Sequence, residues 1–146
     1  VKELSRQVSH VASTRGYIKT LLGRKRRFDK WEPRDSWGER AYSLSEAHAQ
    51  YPKQELKRAY THTALNALIQ GSSADITKAA MLKIWEDGYL DYIDLKLTIH
   101  DELDFSVDQL QQKCLNEAIH IMKNCVEISV PLEVDVEKGS NWGTAK

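Results

Sequence analysis

Apolar residues recur along the chain with two different periods, and the alternation between them predicts the elements. Val1, Leu4, Val8 and Val11 stand three and four apart, which predicts a helix over 2–15 with Gly16 as its stop. The stretch YIKTLLGRKRRF predicts a hairpin turning near Leu22-Gly23, and 29–51 reads as irregular around Trp31, Pro33, Trp37 and Gly38, with a short helix begun by Ser45. A helix is expected over 53–68 and, after IQGSS, another over 74–86, with Ser72 or Ser73 as cap and Asp75 in its first turn. The period then falls to two. Ile93, Leu95, Leu97 and Ile99 point one way, Asp94, Lys96 and Thr98 the other, and Leu103, Phe105 and Val107 repeat the pattern after a turn at His100-Asp101-Glu102. Helical spacing returns over 108–128, where Leu110, Cys114, Ala118, Ile121, Cys125 and Ile128 form one stripe thickened by Leu115 and Met122. Pro131 is expected to end that helix, and PLEVDVEK alternates as a last strand.

These elements make an α+β protein: an antiparallel sheet of β-hairpin, helix and strand packed with helices, preceded by a helix, a basic hairpin and a helix pair. With 146 residues, the chain has one domain's worth of length and no internal repeat. No apolar run approaches a membrane span and nothing at the start resembles a leader, so the expectation is a globular protein without a membrane partner. The first residue is Val rather than Met, which suggests a piece of a longer chain. Cys114 and Cys125, eleven apart on a helix, return to one face on the order of 16 Å along the axis, too far for a disulfide. They read as reduced core residues of an intracellular compartment, and no zinc-ligand spacing accompanies them.

Net charge is zero, yet the charges are segregated. Residues 1–60 hold 14 Lys and Arg against 7 Asp and Glu, a balance of +7; residues 61–146 hold 7 against 14, a balance of −7. The first half suits a polyanion and the second could hold cations.

The turn HDE sharpens that idea. Tight hairpins favour Asn-Gly or Asp-Gly because central residues need positive φ, but this one has no glycine and two adjacent carboxylates. Carboxylates crowded at an exposed turn repel one another unless a cation sits between them. Mg²⁺ takes carboxylate oxygens, keeps several waters and shares its shell with substrate phosphates.

Five ordered motifs extend the reading to nearly the whole chain. LTIHDELDFSV resembles the last active-site motif of the family A DNA polymerases, the bacterial DNA polymerase I type, in which His-Asp-Glu lies between two apolar strands. RGYIKTLLGRKRRF resembles the family's GY-x-x-T-x-x-GR-R hairpin, and ALNALIQGSSADITKAAM its N-x-x-x-QG-(S/T)-AAD-x-x-K-x-AM helix pair. The helix after the turn and VPLEVDVEKGSNWGTA resemble the closing elements. Residues 1–146 would then be the C-terminal part of a polymerase domain, with 92–146 as palm sheet and helix and 28–57 as an insertion. The resemblance makes Asp101 a metal-binding catalytic carboxylate of the palm, Glu102 its auxiliary neighbour, and His100 a residue near the primer terminus. Asn66 and Gln70, four apart on a helix, would donate to the minor-groove acceptors that every base pair presents. Arg24, Arg26 and Arg27 would hold backbone phosphates.

Some positions depart from the family. His62 stands where an arginine is frequent, with Arg58 one turn earlier, and Thr98 stands where Gln is frequent; all three fall at positions facing nucleic acid in the resemblance. A second metal-binding Asp and a nucleotide-binding fingers helix have no counterpart in this chain. The resemblance therefore implies a DNA-directed DNA polymerase that uses two Mg²⁺ ions, primer–template DNA and deoxynucleoside triphosphates. It would be inactive without its upstream part and cytoplasmic in a bacterial or phage-infected cell. A duplex-binding module without chemistry and a metal-dependent hydrolase built on His100, Asp101 and Glu102 are the alternatives.

Overall fold

A computed structural model describes residues 1–35 and 40–145. Trp37 and Gly38, read above as part of the irregular stretch, lie outside the described residues. The chain divides into two compact units, Val1–Asp75 and Ile76–Lys146.

The first unit opens with helix α1 (Lys2–Arg15), stopped as expected by Gly16, whose φ of 77° is left-handed and whose N–H returns to the Ala12 carbonyl. Val8 and Ala12 bury its inner face with Ile18, Phe28 and Ala64, whereas Val1 and Leu4 are exposed. The basic hairpin follows as β1 (Tyr17–Lys19) and β2 (Lys25–Arg27), paired Tyr17 with Arg27 and Lys19 with Lys25. Next, β3 (Trp31–Pro33) pairs antiparallel with β4 (Leu56–Arg58). Between them lies α2 (Leu44–Gln50), which begins one residue before the expected Ser45: Ser43 is the cap, its N–H and hydroxyl both bonded to Glu46.

The helix expected over 53–68 does not form in its first half. Residues 56–58 are taken by pairing with β3, Tyr60 adopts a left-handed φ of 62°, and Thr61–Thr63 is a single 3₁₀ turn. The expected pair is instead one continuous helix, α3 (Ala64–Glu86), with no break at IQGSS. Gly71 and Ser72 serve a contact there. A Cβ on Gly71 would lie 2.7 Å from Thr20 Cγ2, and Ser72 Oγ donates to the Leu68 carbonyl while accepting from the Leu21 N–H.

In the second unit, β5 (Asp94–Ile99) and β6 (Glu102–Ser106) form the expected hairpin. Its register differs from simple alternation. Leu95 pairs with Phe105 but Leu97 with Asp104, so a bulge at Lys96 turns Leu97 and Ile99 to the face of Asp104 and Glu102, and Leu97 is 50% exposed. Helix α4 (Gln112–Asn124) follows a 3₁₀ turn whose cap is Asp108, bonded to Leu110 N–H. It starts after Leu110, which is exposed, and ends well before Pro131. Ala118 and Ile121 pack with Ile84 and Ile93 against Leu103, Phe105, Cys114 and Cys125, and both cysteines are free. The strand expected in PLEVDVEK is absent among the described residues. Leu132 and Val134 are half-buried between exposed Glu133 and Asp135, so the alternating burial is present without a ladder partner. No described helix is long and apolar enough to cross a membrane.

Candidate functional site

The HDE turn is a two-residue loop. Ile99 pairs with Glu102, leaving His100 and Asp101 as its central residues. His100 has a φ of 54°, the conformation that a tight hairpin gives to glycine at its first central position. For an L-residue this costs about 1 kcal/mol, so the tip holds local strain. His100, Asp101 and Glu102 are all exposed, and Thr98, also exposed, lies two residues before the tip. Both carboxylates thus project without an ion pair among the described residues. On β6, Asp104 carries a buried Oδ2 without a hydrogen-bond partner.

No group of three or more His, Cys, Asp or Glu capable of holding a metal occurs among the described residues. The donors at the tip therefore fit an ion content with one or two carboxylates, water and substrate oxygens, as Mg²⁺ is, and not one that needs a closed protein cage.

In the first unit, the nominated basic residues divide into two kinds. Arg24 donates Nε–H to Asp75 Oδ1 at 2.9 Å and an Nη2 hydrogen to the Gly71 carbonyl at 2.9 Å, while the Leu22 N–H reaches Asp75 Oδ2 at 3.3 Å. Asp75 is only 5% exposed, and its hydrogen bonds from Thr20, Arg24 and Leu22 hold its carboxyl below the ordinary range against the opposing effect of burial. Arg58 is likewise engaged: it donates to the Phe28 carbonyl at 3.0 Å, lies 4.5 Å from the centre of the Trp31 ring and packs over Gly16. Arg26 and Arg27 are exposed, Arg26 lying 5.7 Å from the centre of the Phe28 ring. Asn66 and Gln70 are exposed on α3, and His62 is exposed in the preceding 3₁₀ turn. The contacts of Arg24 and Thr20 with Gly71 and Asp75 fix the basic hairpin against α3, the helix that also carries Asn66 and Gln70. Sequence reading gave Asp75 a place in a helix start and missed this role; the signal was that Arg24, Gly71 and Asp75 all belong to the ordered motifs.

Comparison with known proteins identifies the family. The sequence pattern of DNA polymerase family A matches residues 1–144. A DNA-directed DNA polymerase of Pseudomonas phage M6 is 38% identical over 98% of this chain, and DNA polymerase I of Rhizobium leguminosarum is 32% identical over 92%. The chain spans only 17% and 12% of those two relatives. Among solved structures, the POL domain of Pol1 from M. smegmatis, in complex with DNA primer-template and dNTP, superposes with a TM-score of 0.74 at 32% identity, covering 99% of this chain and 23% of that one. A sequence pattern matched almost end to end, carried on the same fold, makes this chain a member of the family A DNA polymerases.

Proposed function

We propose that the chain is the C-terminal part of a DNA-directed DNA polymerase that extends a primer 3′ end and is incomplete without the part that precedes it. The observation that carries this reading is the strained two-residue tip, which presents Asp101 and Glu102 side by side without a cation of the protein's own. Asp101 and Glu102 would hold Mg²⁺, which when bound supplies activation of the 3′-hydroxyl and neutralises charge at the α-phosphate. His100 would position the primer terminus. Asn66 and Gln70 would donate to minor-groove acceptors, giving contact without sequence preference, and His62 and Thr98 would lie near the duplex. Arg26 and Arg27 suit backbone phosphates; Arg24 and Arg58 are better read as supports for the surface that carries them.

We also infer that 28–57 is an insertion. Its two ends meet in the β3–β4 pairing, which closes the segment on itself, as a tolerated insertion requires. The substrates by this reading are primer–template DNA and deoxynucleoside triphosphates, and the setting is the cytoplasm of a bacterial or phage-infected cell.

The test is reassembly. Joined to its upstream part, the chain should extend a labelled primer with Mg²⁺ and nucleotides, and alone it should not. Asp101→Asn should remove extension while leaving duplex binding within about twofold, and Glu102→Gln should cost less. Extension by the isolated chain, or full extension by the reassembled Asp101→Asn enzyme, would overturn this reading.

A further inference from the structure

Arg15, Lys25, Arg27 and Arg58 converge on one concavity of about 210 Å³ with a single carboxylate, Asp29, on its rim. The register explains why. Tyr17 pairs with Arg27 and Lys19 with Lys25, so Lys25 and Arg27 share a face of the hairpin, while Arg26 pairs with Ile18 and points to the other. Arg15, at the last turn of α1, reaches the same hollow beside Gly16.

Three features make this a built site. Arg58 is half-buried and fixed in advance by the Phe28 carbonyl and the Trp31 ring, so little side-chain freedom would be lost on binding. Gly16 makes room for it: a Cβ there would lie 2.7 Å from Arg58 Cζ, so the guanidinium sits where only glycine allows. Finally, no ion pair engages Arg15, Lys25 or Arg27 among the described residues; Lys25 has only the Tyr17 ring, 5.0 Å away. Cations gathered this closely repel unless an anion joins them. The volume lies below the roughly 300–1,000 Å³ of pockets that enclose small molecules. It suits a phosphate group presented from outside and not a whole nucleotide.

We propose that this hollow is a phosphate seat, formed by Arg15, Lys25 and Arg27 over the fixed guanidinium of Arg58. The inference rests on the polymerase reading for its ligand, a phosphodiester of duplex DNA. A phosphate of a free nucleotide has the same chemistry, and the experiment separates the two.

The full chain, labelled with ¹⁵N, is titrated with a short DNA duplex and separately with inorganic pyrophosphate. Duplex affinity is also followed by anisotropy across a salt series. The duplex should shift the signals of Arg15, Tyr17, Lys25 and Arg27. The double variant Arg15→Gln, Arg27→Gln, both exposed residues, should lose those shifts and reduce the slope of log affinity against log salt by roughly one, since the single phosphate held in the seat contributes about 0.9. Lys25→Gln should reduce it by less than the double variant does, because the same phosphate keeps its other partners. Duplex binding with shifts elsewhere and an unchanged slope would overturn the seat and leave the DNA-binding reading standing. Shifts at these residues with pyrophosphate but no duplex binding would keep the seat, assign it to a nucleotide, and count against the DNA-binding reading. Silence to both ligands would overturn the seat as well.

Discussion

Arg24 and Asp75, 51 residues apart in sequence, meet at 2.9 Å and bind the basic hairpin to α3. An arginine that resemblance assigns to phosphate therefore has Nε and one Nη2 hydrogen committed within the protein, and its remaining exposure does not free them. The contact also decides how two ordered motifs cooperate. Thr20, Leu21, Leu22 and Arg24 come from one and Gly71, Ser72 and Asp75 from the other, and together they make a single joint.

Arg24→Ala should consequently behave as a stability variant. It removes hydrogen bonds to a charged group, each worth roughly 1.5–3 kcal/mol when buried; partial exposure of Arg24 puts the expected loss near the lower end, about 2 kcal/mol in all. The salt slope of duplex binding should change little, in contrast to Arg27→Gln. Chemical denaturation and anisotropy on the same variant check both halves, and a wild-type denaturation midpoint with a flattened salt slope would contradict the assignment.

The same joint should respond to acid. The Asp75 carboxyl titrates below its ordinary 3.8 in the folded protein, so the unfolded chain takes up a proton first as pH falls. Its contribution to stability is then complete above the ordinary Asp range and is lost progressively as pH drops through 3.8 towards the lowered native value. Asp75→Asn should flatten this part of the stability–pH curve, measured by thermal denaturation between pH 6 and the acid limit of folding. An unchanged curve would mean that other carboxylates govern it.

Gly71 tests the joint by volume. A Cβ at this position would lie 2.7 Å from Thr20 Cγ2, so helix propensity and packing oppose one another. Ala favours a helix interior over Gly by roughly 0.8–1 kcal/mol, while forcing a methyl into a filled contact costs roughly 1–3 kcal/mol. Gly71→Ala is expected to destabilise by about 1 kcal/mol, and Thr20→Ser in the same chain should recover much of it, because it removes the methyl that is struck. Stabilisation by Gly71→Ala alone would show that the hairpin moves away freely.

Much of this was legible in the sequence and some was not, for identifiable reasons. The hairpin around His100-Asp101-Glu102 was readable because alternation and a polar turn are local signals, and the stop at Gly16 for the same reason. The joint was hidden because Gly71 looks like a helix breaker until Thr20, 51 positions away, is placed against it. The bulge at Lys96 leaves the sequence alternation intact while reversing the faces of Leu97 and Ile99. In 131–138 the alternation reported burial of Leu132 and Val134, and burial alone does not make a strand.

The two thiols should differ in reactivity. Burial raises the Cys125 thiol above its ordinary value, and its sulfur points at the carbonyls of Ile76 and Met122. The thiolate is the reactive form, so near neutral pH Cys125 should react several-fold more slowly than in the unfolded chain. Unfolding without reductant should release two reactive thiols, and Cys125→Ser should remove the slow phase. Finding no free thiol would contradict both the helix geometry and the free state of Cys114 and Cys125.

The turn itself separates backbone from side chain. His100 holds a φ of 54° that costs an L-residue about 1 kcal/mol. Glycine removes that cost but adds freedom to the unfolded chain, and the two effects leave His100→Gly about 0.5 kcal/mol more stable than wild type. His100→Ala keeps the strain and removes an exposed ring, so its stability should stay within about 0.5 kcal/mol of wild type. In the polymerase reassembled with its upstream part, both variants should extend a primer more slowly if the ring positions the terminus. His100→Gly should be the slower, because the looser turn no longer fixes Asp101 beside it. Urea midpoints and single-turnover extension on the same two variants give four values. A glycine variant less stable than the alanine one would refute the strain, and an alanine variant with wild-type extension would remove the ring from the site.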